Sequence, residues 1–434
     1  MSRSRLILVI TILLLGLLLR LHNYALYPQR GATSDEYAFA FLGVSLLTKG
    51  EPISWSAIPL YINRTNLTID KLYYSIVRPY LDHPPLYGLL VGAWALIMGQ
   101  STFEEVTLSI IRLVPITLSL VSLCFVFILG KSLYGYWVGL LSLLIYSVVT
   151  IYVVNARIVV AESLLTPIFL ITLYIFIHKK VKSINTLLML GVGSGLAVLT
   201  KILGLTSPLT LFVLSCVDKI KLRHIFIMMV PVVFSVALFM AYGMYFGSDF
   251  FFHVQAFQGS RALGAETLWI LMTQPIIVNK IIYDGWYFWG FLSVILLSLQ
   301  WKSHKYIVIP VAIYLFSLVA SVTRTDIHGW YMLPLFPFMA IASGYTLKQA
   351  VTKRSMILLP FVLIVGASLI QYVYEVPFGL TPMRFRLLLA FIIAPIFLSL
   401  IFGKKKMFSW IAYSEIALLF VGTMIMTWMY VHPA

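Results

Sequence analysis

The chain is poor in charged residues and in cysteine. Only 11% of its 434 residues are Asp, Glu, Lys or Arg, whereas a soluble protein of this length carries about 25%. Its two cysteines, Cys124 and Cys216, lie inside apolar runs, which favours small core residues over a disulfide or a metal site. These shortages exclude a large soluble domain and a fold held together by disulfides.

Long apolar runs take the place of the missing charges. Hydrophobic residues make up 61% of the chain, and runs of about 17–25 residues, the length that spans a bilayer, recur throughout. The first run has no small-residue cleavage site behind it, so we expect an uncleaved first span and not a signal peptide. The sequence therefore predicts an all-α polytopic membrane protein.

Acidic residues are fewer than basic ones, 15 against 31, which gives the chain a net charge of +16. The basic residues form short clusters between the apolar runs, as in cytoplasmic loops, and no basic face of the kind that binds nucleic acid is expected. Placing every cluster in the cytoplasm predicts about thirteen spans, with the N-terminus inside and the C-terminus outside. The predicted spans are 6–26, 107–130, 137–154, 160–178, 184–200, 202–217, 225–246, 283–300, 306–322, 331–347, 356–373, 385–402 and 408–431.

Two long segments then fall on the outer side of the membrane, residues 27–106 and 247–282. Loops of this length in a compact protein are usually functional. The apolar segment 86–99 is only about 14 residues long, so we expect it to lie along the outer membrane surface instead of crossing it. On this topology every acidic residue except Asp218 and Glu415 lies on the outer side.

Two of these acids, Asp35 and Glu36, stand side by side just after the first predicted span. Neighbouring carboxylates at a membrane boundary can give one of them a raised pKa, which suits a general base. Two ordinary solvated surface acids would give the same pattern.

The motif YLDHPPLYG contains Asp82, His83 and two consecutive prolines. Prolines end a preceding helix and set the direction of the next one. Asp82 and His83 would then lie at the N-terminal edge of a helix, where polar side chains meet lipid headgroups. A simple turn capped by Asp82 is the alternative.

Charged residues also occur at the outer ends of later spans. Arg157 and Glu162, in NARIVVAES, are expected to face a cavity or to pair with each other. Lys201 is the only charged residue between Lys182 and Asp218, and it could bind a phosphate or extend to the lipid headgroups. Further polar residues expected on this side are Arg261, Lys280, Arg324, Asp326, His328 and Tyr331.

The order of these motifs resembles the GT-C class of glycosyltransferases that use polyprenyl-phosphate sugars, closest to the protein O-mannosyltransferase and lipid A aminoarabinose transferase group. The most specific parts are DE at 35–36 and DHPPLYGLL at 82–90. The resemblance covers residues 1–345, predicted to form the catalytic module, and leaves 346–434 as C-terminal transmembrane helices. It implies a GT-C fold with juxtamembrane helices in the first outer loop.

The resemblance also assigns roles to residues. The family's catalytic aspartate matches Asp35, and the acid after it matches Glu36. The aminoarabinose transferases have a lysine where this chain has His83, and Arg-Tyr where it has Ala38 and Phe39. These departures argue against an aminoarabinose donor, and the missing lumenal repeat domain argues against the eukaryotic type of protein acceptor.

The implied reaction moves a sugar from a polyprenyl phosphate to a hydroxyl of a lipid, glycan or protein, with inversion, at the outer face of the cell membrane. Asp35 would accept the hydroxyl proton, and Glu36 would orient Asp35 or make it more basic. The scheme needs no metal or cofactor, and its partners are the lipid-linked donor, the acceptor and membrane lipid. A flippase or transporter of lipid-linked sugars is the alternative. The residues expected to bind substrate are Lys201, His83, Asp82, Arg157, Glu162, Arg261, His328 and Tyr331.

Overall fold

Helices make up most of the chain in the computed structural model, which describes residues 2–69, 71–179, 181, 183–260, 265–322, 327–375 and 379–432. The helices are α1 (Arg3–Leu21), α2 (Asp35–Lys49), α3 (Leu86–Ile97), α4 (Leu108–Ile111), α5 (Leu113–Tyr134), α6 (Tyr136–Val148), α7 (Thr150–Asn155), α8 (Glu162–His178), α9 (Ile184–Thr200), α10 (Thr206–Val217), α11 (Leu222–Gly259), α12 (Ala265–Thr273), α13 (Gly285–Ser298), α14 (Lys305–Val319), α15 (Phe336–Thr352), α16 (Leu358–Glu375), α17 (Pro382–Ile401) and α18 (Lys405–Met429).

Each predicted span coincides with one helix or with two consecutive helices. Among the described residues, five helical segments are long and apolar enough to cross a membrane, and the other apolar helices are shorter. The chain is thus a multi-pass helical membrane protein, while the number of crossings stays a prediction. The five segments are Arg3–Leu21, Leu108–Tyr134, Leu222–Gly259, Pro382–Ile401 and Lys405–Met429.

The first outer loop contains a small antiparallel sheet, which the all-α prediction missed. Its strands are β1 (Ser54–Trp55), β2 (Arg64–Ile69) and β3 (Leu72–Val77), in the order β1-β3-β2. The sequences RTNLTI and LYYSIV are rich in β-branched and aromatic residues, which favour strands. They are too short to stand out beside the long apolar runs, so the fold is corrected to a helical bundle with a small sheet.

Helices α2 and α3 cross with their backbones in direct contact. Gly43 of α2 faces Gly88 and Gly92 of α3, and a Cβ atom at Gly43 or Gly92 would collide with the opposite backbone. α3 accounts for most of the predicted interfacial segment 86–99, and the contact fixes it against α2. Its placement on the outer membrane surface stays a prediction.

Helix α11 continues well past the predicted span 225–246 and ends at Gly259. Its backbone is non-helical at Gly247, where two helical parts meet. The part after Gly247 packs on the first outer loop, with the rings of Phe250 and Tyr61 4.9 Å apart. The predicted loop 247–282 is therefore largely helical at its start, because the aromatic run SDFFFHVQAFQG lacks proline.

The C-terminal helices pack against the rest of the bundle through α13. The ring of Trp286 stacks on Phe420 at 5.0 Å, and its Nε1 donates to Thr423 Oγ1 at 2.8 Å. α15 also runs across residue 345, where the catalytic module was predicted to end. The division into two modules stays a prediction. A short two-stranded hairpin, β4 (Ile276–Ile277) and β5 (Lys280–Ile281), precedes α13.

Candidate active site

A cavity of about 540 Å³ opens between the first outer loop and the bundle. One wall comes from the turn at residues 201–205 and from α10, another from α14, and a third from the last part of α11. Its polar lining includes His83, Lys201, Gln255, Gln258 and Tyr331. The apolar lining is contributed by Ile202, Leu203, Leu205, Leu209, Phe316, Ala320 and Val322.

Lys201 has an ion-pair partner that its sequence neighbourhood did not reveal. Its Nζ lies 2.6 Å from Glu162 Oε1; the Glu162 side chain is fully buried and that of Lys201 is 14% exposed. The ammonium also lies 4.6 Å from the centre of the Tyr331 ring. Burial alone would lower the pKa of Lys201, but the Glu162 carboxylate and Tyr331 outweigh it and raise the pKa. A lasting positive charge therefore borders the cavity.

The adjacent acids Asp35 and Glu36 begin α2 and have different surroundings. Glu36 is buried, and its two oxygens accept from Nε and Nη2 of Arg112 at 2.8 and 2.7 Å. Its Oε1 also accepts from the Val159 backbone N–H at 3.2 Å. Both oxygens are thus engaged, which makes Glu36 an anchor of the first turn of α2 instead of a second acid at the site.

Asp35, by contrast, is only half-buried, and it is not among the residues that line the cavity. The Asp35 carboxylate adds to Glu162 and Tyr331 in raising the pKa of Lys201, so the two charges are close enough to interact. Its backbone N–H donates to Thr33 Oγ1 at 3.2 Å. Because consecutive helical residues point about 100° apart, the anchoring of Glu36 directs the Asp35 side chain elsewhere.

Asp82 supports the loop that carries His83. Its carboxylate accepts from the hydroxyls of Ser56 and Tyr61, each at 2.6 Å. Burial, and then Asp82 itself, raise the pKa of Tyr61, so its phenol stays protonated as a donor. The next residue, His83, lines the cavity and stacks on Phe39 with ring centres 5.6 Å apart. Asp82 thus stabilises its loop, and its expected role in substrate binding stays a prediction, whereas His83 lines the cavity.

Two glutamines of α11 hold the same loop from the other side, and sequence reasoning missed them. The Nε2 of Gln255 donates to the Leu81 carbonyl at 2.9 Å, and the Nε2 of Gln258 donates to the Asp82 carbonyl at 2.6 Å. Their i, i+3 spacing puts both amides on one helix face. The spacing could have indicated a shared polar face on the helix, but two neutral side chains within an aromatic run give a weak sequence signal. Both also line the cavity beside His83.

Arg157 does not form the expected pair with Glu162, since Glu162 pairs with Lys201. Arg157 is buried, and its Nη2 donates to the Leu19 carbonyl at the end of α1 at 2.5 Å. It does not line the cavity. This contact joins the α7–α8 turn to α1, and the expected role of Arg157 in substrate binding stays a prediction.

Of the two candidates His328 and Tyr331, only Tyr331 lines the cavity. Tyr331 lies against Lys201, and its carbonyl accepts from the Tyr314 hydroxyl at 3.0 Å. His328 stacks on Trp330 at 4.3 Å and is not part of the lining. Arg261 falls outside the described residues. Within the described ranges no three His, Cys, Asp or Glu side chains cluster as metal ligands, and the need for a metal stays untested.

The family model described as dolichyl-phosphate-mannose-protein mannosyltransferase matches residues 82–245. No curated protein matches the chain in sequence. Among solved structures, it is similar to ArnT from Cupriavidus metallidurans bound to undecaprenyl phosphate, with a TM-score of 0.54 and 14% identity over 99% of this chain and 78% of ArnT.

The chain is also similar to the archaeal oligosaccharyltransferase AglB from Archaeoglobus fulgidus in complex with an inhibitory peptide and a dolichol-phosphate. The TM-score is 0.50 and the identity 10%, over 95% of this chain but only 56% of AglB. The family match begins at the DHPPLYGLL motif, and the shared fold extends over nearly the whole chain. These findings agree with the resemblance expected from the sequence: a mannosyltransferase family model matches residues 82–245, and the chain shares its overall fold with ArnT and AglB.

Proposed function

We propose that this protein is an inverting glycosyltransferase that moves a sugar from a polyprenyl phosphate to a hydroxyl acceptor at the outer face of the membrane. The observation that carries the proposal is the cavity lined by Lys201 and His83, whose lysine is close enough to Asp35 for the two charges to interact. One side of this cavity is apolar and the other polar, as a lipid-linked sugar requires.

The apolar and polar parts of the donor match the apolar and polar side chains of the cavity. Its polyprenyl tail would contact the apolar side chains of α10 and α14, and its phosphate would lie at Lys201. The ammonium of Lys201 has one carboxylate oxygen on the protein side and remains open to the cavity. A positive charge held in a partly water-excluded site binds a phosphate strongly. The undecaprenyl phosphate named for ArnT supports a donor of this kind.

The reaction is a single displacement. The acceptor oxygen forms a bond to the anomeric carbon while Asp35 takes the hydroxyl proton. The bond between the anomeric carbon and the phosphate oxygen breaks, and polyprenyl phosphate leaves with that electron pair. Lys201 and His83 stabilise the negative charge that develops on the phosphate. Attack opposite to the leaving group inverts the anomeric centre.

Replacing Asp35 by asparagine tests this function. Asp35→Asn should leave expression and thermal stability intact and lower sugar transfer by about 100-fold or more, the usual effect of losing a general base. Glu104→Gln is the matched control, because Glu104 is an exposed acid of the same outer loop. Sugar transfer near the wild-type level in Asp35→Asn would remove Asp35 from the mechanism and favour lipid movement without chemistry.

A further inference from the structure

A second cavity, of about 210 Å³, lies at the other end of α15 from Lys201. It is formed by the ends of α13 and α15, the turn after α13 and the start of α16. Tyr331, just before α15, lines the first cavity, whereas Tyr345 and Gln349, near its end, line the second. With a rise of 1.5 Å per residue, the two sites are separated by about 20 Å of helix.

The second cavity has a mixed lining of apolar side chains and several polar ones. Gln300 and Lys353 are exposed, Tyr345 and Gln349 are half-buried, and the polar side-chain groups of these four lining residues make no hydrogen bond or ion pair with another described residue. His304 is buried, and its Nδ1 is paired with a tyrosine hydroxyl at 2.9 Å, which leaves Nε2 for the cavity. The described lining contains no carboxylate.

The surroundings place this cavity at a membrane boundary. The exposed Trp301 and Lys302 lie in the same turn as His304, with the Lys302 ammonium 5.9 Å from the Trp301 ring. Arg354 follows Lys353 and donates to the Ser399 and Leu400 carbonyls at the end of α17 and, at 2.7 Å, to the Gly403 carbonyl just after it. Tryptophan and basic residues together are typical of the headgroup level, and basic pockets between helices bind lipid headgroups there.

We propose that this cavity binds a phosphate-bearing anion, either the headgroup phosphate of an anionic phospholipid or free phosphate. Lys353 supplies the positive charge, and the amides of Gln300 and Gln349 and the Tyr345 hydroxyl donate hydrogen bonds. A neutral ligand would gain nothing from the charge of the exposed Lys353, and a cation would be repelled by it and would meet no carboxylate in the described lining. The site is distinct from the Lys201 cavity and does not depend on the proposed transferase function.

The test uses the purified full-length protein in a neutral detergent. Phosphatidylglycerol, phosphatidylcholine and inorganic phosphate are titrated separately while the melting temperature is recorded. Lys353→Gln and Gln349→Leu change the cavity, and Lys302→Gln is the control, since Lys302 is a neighbouring lysine outside the lining. Melting temperatures without any addition verify that each variant is folded.

We expect phosphatidylglycerol, but not phosphatidylcholine, to stabilise the wild type and Lys302→Gln. Both cavity variants should need at least about tenfold more phosphatidylglycerol, the scale of one lost hydrogen bond to a charged group. Equal stabilisation by inorganic phosphate, also weakened in Lys353→Gln, would support free phosphate as the ligand. The proposal is overturned if neither anion stabilises the wild type, or if all variants respond alike, since general surface charge would then explain the effect.

Discussion

The buried pair of Lys201 and Glu162 allows the cost of a broken ion pair to be separated from the loss of a phosphate contact. Glu162→Gln leaves the Lys201 ammonium without its carboxylate, and Lys201→Met leaves a fully buried carboxylate without its ammonium. Removing one member of a buried pair costs about 3–5 kcal/mol, and the 2.6 Å separation and low exposure place this pair in that class. The double variant removes both charges and should be more stable than either single variant.

Polyprenyl phosphate, the lipid part of the donor, distinguishes the ion-pair role of Lys201 from its phosphate-binding role. Polyprenyl phosphate should partly restore the melting temperature of Glu162→Gln, because its phosphate supplies the missing negative charge next to Lys201. It should not restore Lys201→Met. Donor affinity should fall by about 10- to 100-fold in Lys201→Met and in the double variant, the effect of losing a hydrogen bond of 1.5–3 kcal/mol to a charged group. The double variant would thus be stable yet bind donor poorly.

Melting temperatures with and without polyprenyl phosphate, together with donor binding by equilibrium titration, provide the assay. Lys201→Arg is the conservative control and should retain part of the affinity. Two results would refute the reasoning. If the double variant loses as much stability as the two single variants added together, Lys201 and Glu162 are not coupled. If the double variant binds donor normally, the phosphate is held elsewhere.

Three further predictions concern the elements around the site. Glu36→Gln leaves the buried Arg112 without its carboxylate and should cost about 3–5 kcal/mol, seen as a lower melting temperature; an unchanged value would contradict the anchoring role. Gln258→Leu removes a hydrogen bond to the His83 loop and should raise the KM for the sugar donor about 2- to 10-fold, the effect of one neutral hydrogen bond, with less change in kcat. A higher KM accompanied by comparable losses of kcat and stability would indicate a purely structural role. Single cysteines at Ser101 and Ser132 in a cysteine-free background should be labelled from opposite sides of the membrane; labelling of both from one side would overturn the topology.

The helices could be predicted from the sequence because apolar length and charge clusters reflect the membrane directly. The sheet at 54–77 could not, since six-residue strands such as LYYSIV carry no signal comparable to a 20-residue run. The extension of α11 past Gly247 was also missed. Loop residues were expected there, although the segment contains no helix-breaking proline and packs its aromatic side chains on the first outer loop.

The site was predictable only in part, because its pairings join distant parts of the chain. Arg157 and Glu162 looked like partners since they are close in sequence, but tertiary packing brings Lys201, 39 residues away, to Glu162. Glu36 likewise pairs with Arg112 across 76 residues. Motifs identified Asp35, His83 and Lys201 as candidates, but whether a neighbouring charge anchors a helix or faces a cavity depends on contacts that no local pattern records.

The glycine contact between α2 and α3 has a consequence for which substrates the site can accept. The backbone of α3 contacts α2 at Gly43, and the Glu36 ion pair holds the first turn of α2. These two contacts restrict movement of the helix that carries Asp35. The cavity is lined in part by side chains of α11 and α14, which can change in size without moving a backbone. On the proposed function, we therefore expect selectivity for larger or smaller sugars to be engineered, and to diverge, through exchanges on α11 and α14 and not on α2, which bears Asp35.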